Sequence, residues 1–372
     1  MSLGLYIHIP FCKTRCYYCD FAIAIHRTGA AERYLQALGR EMSSHAGLEV
    51  RTIYLGGGTP TTLTAEQLAG LLSDCRRHFR IQPNSEVTIE ANPGTLDEEK
   101  LSVLKDGGVS RLSIGFQVAD DLLLKAIGRS HNVKEFTDDY SLARKVGFSN
   151  ISLDLIFGLP GQSVESWKET LRIALDLKPE HISIYGLTVE EGTAFGHWHR
   201  QGRLQRPSEE EELAMYDLTV ESLAGDGYEH YEISSFARWG FRSAHNQIYW
   251  RNEEYLGLGV SAWSYVDKMR YGNDRSTRRY MDLLLSGASP VAEEERLVGR
   301  AEMGETLVLG LRMIEGVRLS RFRERFGVKA EDVFEREIER TLAEGLLEVS
   351  NDHLRLTDKG IRLANEVFVE FL

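Results

Sequence analysis

The stretch YIHIPFCKTRCYYCDF, residues 6–21, holds three cysteines in the spacing C-x3-C-x2-C. They are Cys12, Cys16 and Cys19. Three thiolates cannot complete a structural zinc site, which takes four protein ligands. They can hold three irons of a [4Fe–4S] cluster and leave the fourth iron open to a small molecule. Two alternatives remain open: a reduced trio that binds no metal, or a zinc site completed by His8 or His26.

The composition favours a globular protein of a reducing compartment. The chain has 372 residues, with 56 acidic and 44 basic side chains and a formal net charge of −12. This balance argues against broad polyanion binding, so we expect no nucleic-acid partner. Four cysteines in so long a chain do not form a disulfide framework, and the fourth, Cys75, is expected to be a packed thiol. We find no apolar run of about 18 residues and no signal-peptide pattern, so we expect no membrane span.

Short apolar runs alternate with helical patterns through the first half of the chain, the order typical of βα units around a parallel sheet. The expected strands are 3–9, 52–55, 86–90, 111–115, 151–157 and 181–185. The helical stretches between them lie near 30–45, 65–79, 97–105, 133–146 and 164–176. We therefore predict an α/β fold with a partial (β/α)6 barrel over residues 1–190.

Residues suited to ligand binding follow these strands. The turn Gly56-Gly-Gly-Thr-Pro60 follows the second strand, Glu90 ends the third, Gln117 follows the fourth and Asp154 lies in the fifth. Because ligands bind at the carboxyl ends of parallel strands, we expect these residues to meet at one rim. Taken singly, each polar residue is equally well explained as a solvated strand end, and the glycines as a plain tight turn.

Residues 191–294 lack clear βα units but contain the motif His245-Asn-Gln-Ile-Tyr249-Trp250. His245 and Tyr249 lie four residues apart and would share one face of a helix. Imidazole is a good ligand for haem iron, and aromatic neighbours suit a flat macrocycle. The spacing alone favours the alternative, an aromatic structural cluster around a fully hydrogen-bonded histidine.

Residues 295–372 resemble a small winged-helix-like domain. Helices are predicted over 301–311, 320–326 and 330–344, followed by two strands at 346–349 and 353–356 with a turn at Asn351-Asp352. The helices carry an acidic excess, which suits phosphate binding poorly. We expect a packing or lid domain.

Together these features resemble the radical SAM proteins, in which the open iron of the cluster chelates S-adenosylmethionine (SAM). The chain is similar along nearly its whole length to the oxygen-independent coproporphyrinogen III oxidase family. The stretches that carry this resemblance are 6–21, 55–61, 88–93, 113–117, 126–132, 154–162 and the C-terminal domain. It implies SAM contacts at Tyr6, Tyr18, Gly57, Gly58, Thr59, Glu90, Gln117, Arg129, Asp154 and Thr188. Among these, Gln117, Arg129 and Asp154 match a second SAM site of that family.

Two departures from the oxidase pattern are similar to the related haem chaperone family HemW. Phe21 stands where the oxidase has a fourth cysteine, and five residues precede Tyr6 where the oxidase has a long extension. The chaperone family also has a His-Asn-x-x-Tyr-Trp motif, matched here by His245, Asn246, Tyr249 and Trp250. The resemblance thus implies that this motif binds haem, with His245 as the iron contact.

The resemblance implies three cofactors or ligands: a [4Fe–4S] cluster, SAM and haem. As a chaperone, the protein would pass haem to acceptor haemoproteins such as respiratory enzymes. The cluster would serve assembly or dimerisation, so a homodimer is one expected assembly, and SAM would be regulatory. The expected location is cytoplasmic, with any membrane association made through partners.

An enzyme is the alternative. The reduced cluster would cleave SAM, and the 5′-deoxyadenosyl radical would take a hydrogen from a propionate of coproporphyrinogen III, leading to vinyl groups. The two departures favour the chaperone over this oxidase. A simple electron-transfer or structural iron–sulfur protein is a third reading, which the complete set of SAM-site matches disfavours.

Overall fold

A computed structural model of the chain describes residues 2–26 and 29–372. The strands in this part of the chain are β1 Leu3–Ile9, β2 Phe11–Cys12, β3 Ala24–Ile25, β4 Glu49–Gly57, β5 Arg80–Ala91, β6 Arg111–Gln117, β7 Ile151–Phe157, β8 His181–Gly186, β9 Glu229–Glu232, β10 Ser235–Ala237, β11 Tyr255–Leu258, β12 Trp263–Val266, β13 Met269–Asn273, β14 Val291–Arg296, β15 Val317–Arg318, β16 Leu347–Ser350 and β17 His353–Leu356.

The helices that accompany them are α1 Ala30–Ser44, α2 Ala65–His78, α3 Glu98–Asp106, α4 Asp121–Ala126, α5 Val133–Val146, α6 Val164–Asp176, α7 Ala194–Arg200, α8 Glu209–Gly225, α9 Ala244–Trp250, α10 Thr277–Leu285, α11 Arg300–Gly310, α12 Leu319–Phe326, α13 Ala330–Val333, α14 Glu335–Ala343, α15 Asp358–Arg362 and α16 Ala364–Glu370. A short 3-10 turn, Pro60–Thr62, follows β4. None of the described helices is long and apolar enough to cross a lipid bilayer.

Twelve strands form one sheet in the order β14-β13-β12-β11-β1-β4-β5-β6-β7-β8-β10-β9. Its centre is the set of six predicted strands, β1 and β4 to β8, all parallel, so the α/β prediction is confirmed. A seventh parallel strand was missed: β11 pairs in parallel with β1. It has only four residues and lies outside the βα rhythm, so its pattern in the sequence is weak.

The two faces of β6 show why these strands form a barrel wall. Leu112, Ile114 and Phe116 point outward into the apolar core that the surrounding helices share. The alternate residues, Arg111 and Ser113 among them, point to the inner side, because successive side chains on a strand face opposite ways. Every residue of β6 is buried, as expected for a parallel strand covered on both faces.

Helix boundaries follow the capping residues in the sequence. At α2 the Gln67 N–H donates to Thr64 Oγ1 at 3.2 Å, and the Thr64 N–H donates to Gln67 Oε1 at 3.0 Å. This reciprocal pair is the capping box that the spacing predicts. The helix α3 ends at Asp106, with Gly107 as its C-cap.

A separate apolar cluster supports the C-terminal region, built around Leu307, Phe334 and Leu354. The two predicted wing strands are present as β16 and β17, and β15 adds a third, two-residue strand that the sequence did not reveal. The prediction of one helix over 330–344 was wrong in one respect, because the chain forms two helices there, α13 and α14, which meet at Phe334. The break places the Phe334 ring inside the cluster, against Phe371.

The C-terminal region bridges the two edges of the open barrel. At the β9 edge, the Ile233 N–H donates to the Arg312 carbonyl and the Ile314 N–H donates to the Tyr231 carbonyl. At the opposite edge, Arg270 of β13 pairs with Glu305 of α11. The division into residues 1–190, 191–294 and 295–372 remains a prediction, which the separate apolar clusters support.

Candidate functional site

A cavity of about 420 Å³ opens at the carboxyl ends of the parallel strands. This volume lies in the range of small-molecule sites. The cavity wall includes all three clustered cysteines and nine of the ten residues matched to SAM sites, namely Tyr18, Gly57, Gly58, Thr59, Glu90, Gln117, Arg129, Asp154 and Thr188. The tenth, Tyr6, lies behind Tyr54, with ring centroids 6.1 Å apart.

The cysteine loop presents three free thiols to this cavity. The Cys12 Sγ lies 3.6 Å from Thr59 Oγ1, and Arg129 Nη1 donates to Cys16 Sγ at 3.6 Å. Burial raises the pKa of Cys19 to about 11, so its thiol is protonated until a metal displaces the proton.

The chemistry of the donors fits a cluster, because three thiols line one cavity wall and thiolate is the usual ligand of iron–sulfur clusters. Within residues 2–26 and 29–372, no three His, Cys, Asp or Glu side chains converge closely enough to hold a single ion. A [4Fe–4S] cube needs no such convergence, because each thiolate binds a different iron. His8 is also a poor fourth ligand for a zinc ion, because both of its ring nitrogens already contact protein groups, the Tyr6 hydroxyl and the Ala22 carbonyl.

The glycine turn after β4 is dictated by close packing against the cysteine loop. Gly57 has φ +107°, and a Cβ there would lie 2.5 Å from the His8 ring. A Cβ on Gly58 would lie 2.6 Å from the Pro10 carbonyl carbon. Only glycine meets both demands, and the turn is thereby held directly against the loop that carries the thiols.

Two half-buried carboxyl groups face the cavity. Glu90 accepts hydrogen bonds from the Tyr54 hydroxyl at 2.8 Å and the Gly57 N–H at 3.0 Å. Burial raises the pKa of Glu90 to about 7. Asp154 accepts from Ser113 Oγ at 3.0 Å, and burial raises its pKa too. When ionised, both can accept hydrogen bonds from hydroxyl or ammonium groups of a ligand.

Gln117 and Arg129 lie at an irregular point of the rim. Gln117 is 7 % exposed, has φ +70°, and follows a register shift between β6 and β7. Left-handed backbone at a non-glycine residue concentrates at binding sites. Arg129 Nη2 donates to Asn92 Oδ1 at 2.5 Å and to the Gly115 carbonyl at 2.9 Å, which fixes the guanidinium beside Cys16.

The helix α9 carries the predicted haem motif and packs against β4 and α11. His245 is 1 % exposed, with Nδ1 2.8 Å from Thr52 Oγ1 and Nε2 2.8 Å from the Tyr249 hydroxyl. Burial lowers the pKa of His245 to about 3, so the ring is neutral, and both of its nitrogens are engaged. This is the geometry of a fully hydrogen-bonded structural histidine. The iron contact remains a prediction, and it requires the Tyr249 hydroxyl or Thr52 to move.

The rest of the motif links the cavity to the C-terminal region. Asn246 contributes to the cavity wall. The Tyr249 ring packs edge to face on Tyr255 at 4.6 Å, and the Arg312 guanidinium lies 4.3 Å from the Trp250 ring. Of the four motif residues, only Asn246 reaches the cavity with the cysteines.

Sequence reasoning missed several residues of the cavity wall: Tyr54, Arg111, Ser113, His131, Ser183 and Tyr185. A signal was present on β6, where Arg111, Ser113, Gly115 and Gln117 alternate with apolar residues. Polar residues at every second position of a fully buried strand indicate a polar interior rather than a solvated face.

Comparison with known families matches residues 6–174 to the Radical SAM superfamily and residues 299–363 to the HemN C-terminal domain. Three curated relatives named Heme chaperone HemW align along nearly the whole chain. The protein of Lactococcus lactis is 39 % identical over 99 % of this chain and 96 % of its own. The Bacillus subtilis protein is 39 % identical, and the alignment covers 99 % of this chain and 98 % of that protein. The Escherichia coli protein is 32 % identical, and the alignment covers 100 % of this chain and 98 % of that protein.

Among solved structures, coproporphyrinogen III oxidase (HemN) from Escherichia coli, described as a radical SAM enzyme, superposes with a TM-score of 0.88. It is 25 % identical and covers 100 % of this chain and 90 % of its own. The parallel core of the barrel is therefore a radical SAM core, and the C-terminal region is a HemN-type C-terminal domain.

Proposed function

The chain belongs to the heme chaperone HemW family, and from that premise we propose that it binds haem and transfers it to acceptor haemoproteins. The observation that carries this proposal is the similarity to curated HemW proteins over the full length of the chain. The same resemblance assigns the protein a [4Fe–4S] cluster and SAM, which the cavity is equipped to hold.

In this proposal the cluster is held by Cys12, Cys16 and Cys19 and, when bound, supplies an open iron that chelates SAM. The side chains of the protein position the ligand and place charged groups beside it. Arg129 donates to Cys16 Sγ and so holds a positive charge beside the cysteine loop. Glu90 is held by Tyr54 and Gly57 with its carboxyl group in the cavity, where it can accept from a ligand hydroxyl or ammonium.

The mouth of the cavity suits a flat apolar ligand. Phe21 is 61 % exposed and Tyr185 45 % exposed, and both belong to the cavity wall. Exposed aromatic rings in the wall of a cavity offer stacking surface to a macrocycle. We assign these two residues to haem docking and keep the motif His245, Asn246, Tyr249 and Trp250 as the proposed haem-responsive element, with the condition that Tyr249 releases His245.

The alternative function, an oxygen-independent coproporphyrinogen III oxidase, is favoured by one observation. The HemN structure superposes on the whole chain, and the cavity contains nearly all residues matched to its SAM sites. A cavity able to hold SAM beside a cluster is needed for SAM cleavage, so this candidate has to be tested directly.

Both functions can be tested on one anaerobically reconstituted preparation. Haem is titrated first and the loaded protein is then mixed with an apo-haemoprotein, whose Soret band reports transfer. A second portion receives SAM, a reductant and coproporphyrinogen III, and vinyl product is measured. Stoichiometric haem binding with transfer and no product supports the chaperone, whereas repeated turnover to vinyl product overturns it in favour of the oxidase.

A further inference from the structure

Arg111 is a buried cation with no ion pair among the residues that the structure describes. It is 3 % exposed, and its Nη1 donates to the Phe241 carbonyl over a long 3.4 Å. Its Nε has no hydrogen-bond partner in the part of the chain that the structure describes. A guanidinium carries five N–H donors, and a buried charge is normally paired because desolvation is costly. Most of the hydrogen-bonding capacity of Arg111 is therefore unused by the protein.

Among the described neighbours of Arg111, no acidic side chain lies within ion-pair distance of its guanidinium. Thr88 stands beside it across the β5–β6 ladder, 0 % exposed, and its Oγ1 also lacks a partner among the described residues. Burial and the charge of Arg111 hold the pKa of His181 well below its usual range, so that ring is neutral. Burial raises the pKa of Asp154 and the charge of Arg111 partly offsets that rise, but within residues 2–26 and 29–372 the two side chains are not paired within 4.0 Å.

Arg111 also faces the ligand cavity. It lines the cavity wall together with Ser113 and Gln117 of the same strand. Gln117 marks the rim and lies six positions from Arg111 along the same strand, a distance of about 20 Å. Asn246 of α9 belongs to the same wall. The cavity thus has a cysteine-bearing rim at one end and a lone cation towards the other.

We propose that this deep end is a carboxylate-binding subsite in which Arg111 receives a carboxylate of the ligand that occupies the barrel. The planar fork of a guanidinium matches a carboxylate with two parallel hydrogen bonds. Asn246, which lines the same cavity wall, offers a further hydrogen bond. The subsite rests on the proposed function for its ligands, which carry two candidate carboxylates: a haem propionate, and the amino-acid carboxylate of a SAM molecule at the second matched site, one that does not chelate the cluster.

The test compares ligands that differ only in this group. Haem is compared with its dimethyl ester, and SAM with decarboxylated SAM, on reconstituted wild type, Arg111→Gln and Arg111→Lys. Arg238→Gln is the matched control, because Arg238 pairs with Asp226 and lies outside the cavity wall. Cluster absorbance and circular dichroism verify that each variant is folded.

One of the two ligand pairs contains the ligand that binds at the subsite. For that pair we expect wild type to bind the form with the carboxylate about 10- to 100-fold more tightly, the usual range for hydrogen bonds to a charged group. Arg111→Gln should abolish that preference, Arg111→Lys should reduce it several-fold, and Arg238→Gln should keep it. If Arg111→Gln loses the preference for haem over its dimethyl ester, the subsite binds a propionate. If it loses the preference for SAM over decarboxylated SAM, the subsite binds the amino-acid end of SAM.

Unchanged preferences in folded Arg111→Gln for both pairs overturn the subsite and leave Arg111 a structural residue for the Phe241 carbonyl. If Arg111→Gln does not fold, the Arg111→Lys ratios decide, and no change there overturns the proposal equally. Failure of wild type to bind haem at all would count against the chaperone function instead, while the SAM pair would still decide the subsite.

Discussion

The rim of the barrel and the helix α9 carry the two sharpest motifs of the chain, yet their side chains are in opposite states. At the rim, Cys12, Cys16 and Cys19 are free and face the cavity. In α9, His245 is buried and has a hydrogen-bond partner on each ring nitrogen. The comparison teaches that ligand-type residues in a motif are ready to bind where the fold points them into a cavity, whereas a buried motif such as that of α9 has to rearrange first.

The largest expected effect tests the rim side of this comparison. Replacing Cys12, Cys16 or Cys19 with alanine should abolish the visible absorbance of the reconstituted cluster, because two thiolates cannot hold the cube in place of three. Cys75→Ala is the matched control, since that thiol is buried in α2 away from the cavity and should leave the cluster intact. Cluster absorbance that survives in the triple variant would refute the assignment.

The next effect tests the α9 side. His245→Ala should lower the free energy of unfolding by about 2–4 kcal/mol, because it leaves a cavity and deprives two hydroxyls of their partner, the buried one of Thr52 and the half-buried one of Tyr249. Denaturant unfolding measures this loss, and the cluster should persist below the transition. The proposed iron contact adds a second expectation, a weaker haem titration with a shifted Soret band. An unchanged titration and Soret position would make His245 purely structural.

A pH series sharpens the comparison at Glu90. Its pKa is raised to about 7, so its carboxylate, the better hydrogen-bond acceptor, is lost as the pH falls below that value. SAM affinity should rise with pH up to about 7 and then level off, weakening about tenfold for each pH unit below it. The Glu90→Gln variant should show no such inflection in a SAM titration by equilibrium dialysis.

Glu41 provides a matched control, since burial also raises its pKa to about 7 but its partners are Tyr280, Asn273 and Gly259, away from the cavity. Its folded pKa exceeds the unfolded value of 4.5, so the stability linked to its protonation is full below 4.5 and is lost as the pH rises through 7. Glu41→Gln should flatten the dependence of unfolding free energy on pH while leaving the SAM profile unchanged. The opposite pattern would show that the inflection does not belong to Glu90.

The smallest expected effect comes from Tyr249→Phe, which removes only the hydroxyl next to His245 Nε2. We expect a loss of about 1 kcal/mol in unfolding free energy, the usual net value of one hydrogen bond. Because the change also releases Nε2, an iron contact at His245 predicts haem binding that is tighter by about fivefold in a Soret titration. Weaker haem binding would place the hydroxyl itself in the haem site.

Whether a sequence prediction succeeded depended on how far apart in the chain the interacting residues lie. The six parallel strands were found because buried strands are continuous apolar runs separated by helical patterns, and the capping box of α2 involves residues only three apart. The strand β11 was missed because it joins the sheet through β1, about 250 residues earlier in the chain, and four residues carry little pattern of their own.

By itself, the sequence determined the cysteine spacing, the glycine turn and the order of the βα units, and these place the thiols and Glu90 at one rim, because parallel strands end on the same side. Only the tertiary structure decided the state of the remaining polar residues. His245 is engaged by Thr52, 193 positions away, whereas Arg111 has no ion pair in the described part of the chain although Asp154 faces the same cavity. The physical reason is that a side chain is free or bound according to partners contributed by distant elements, and spacing along the chain does not contain that information.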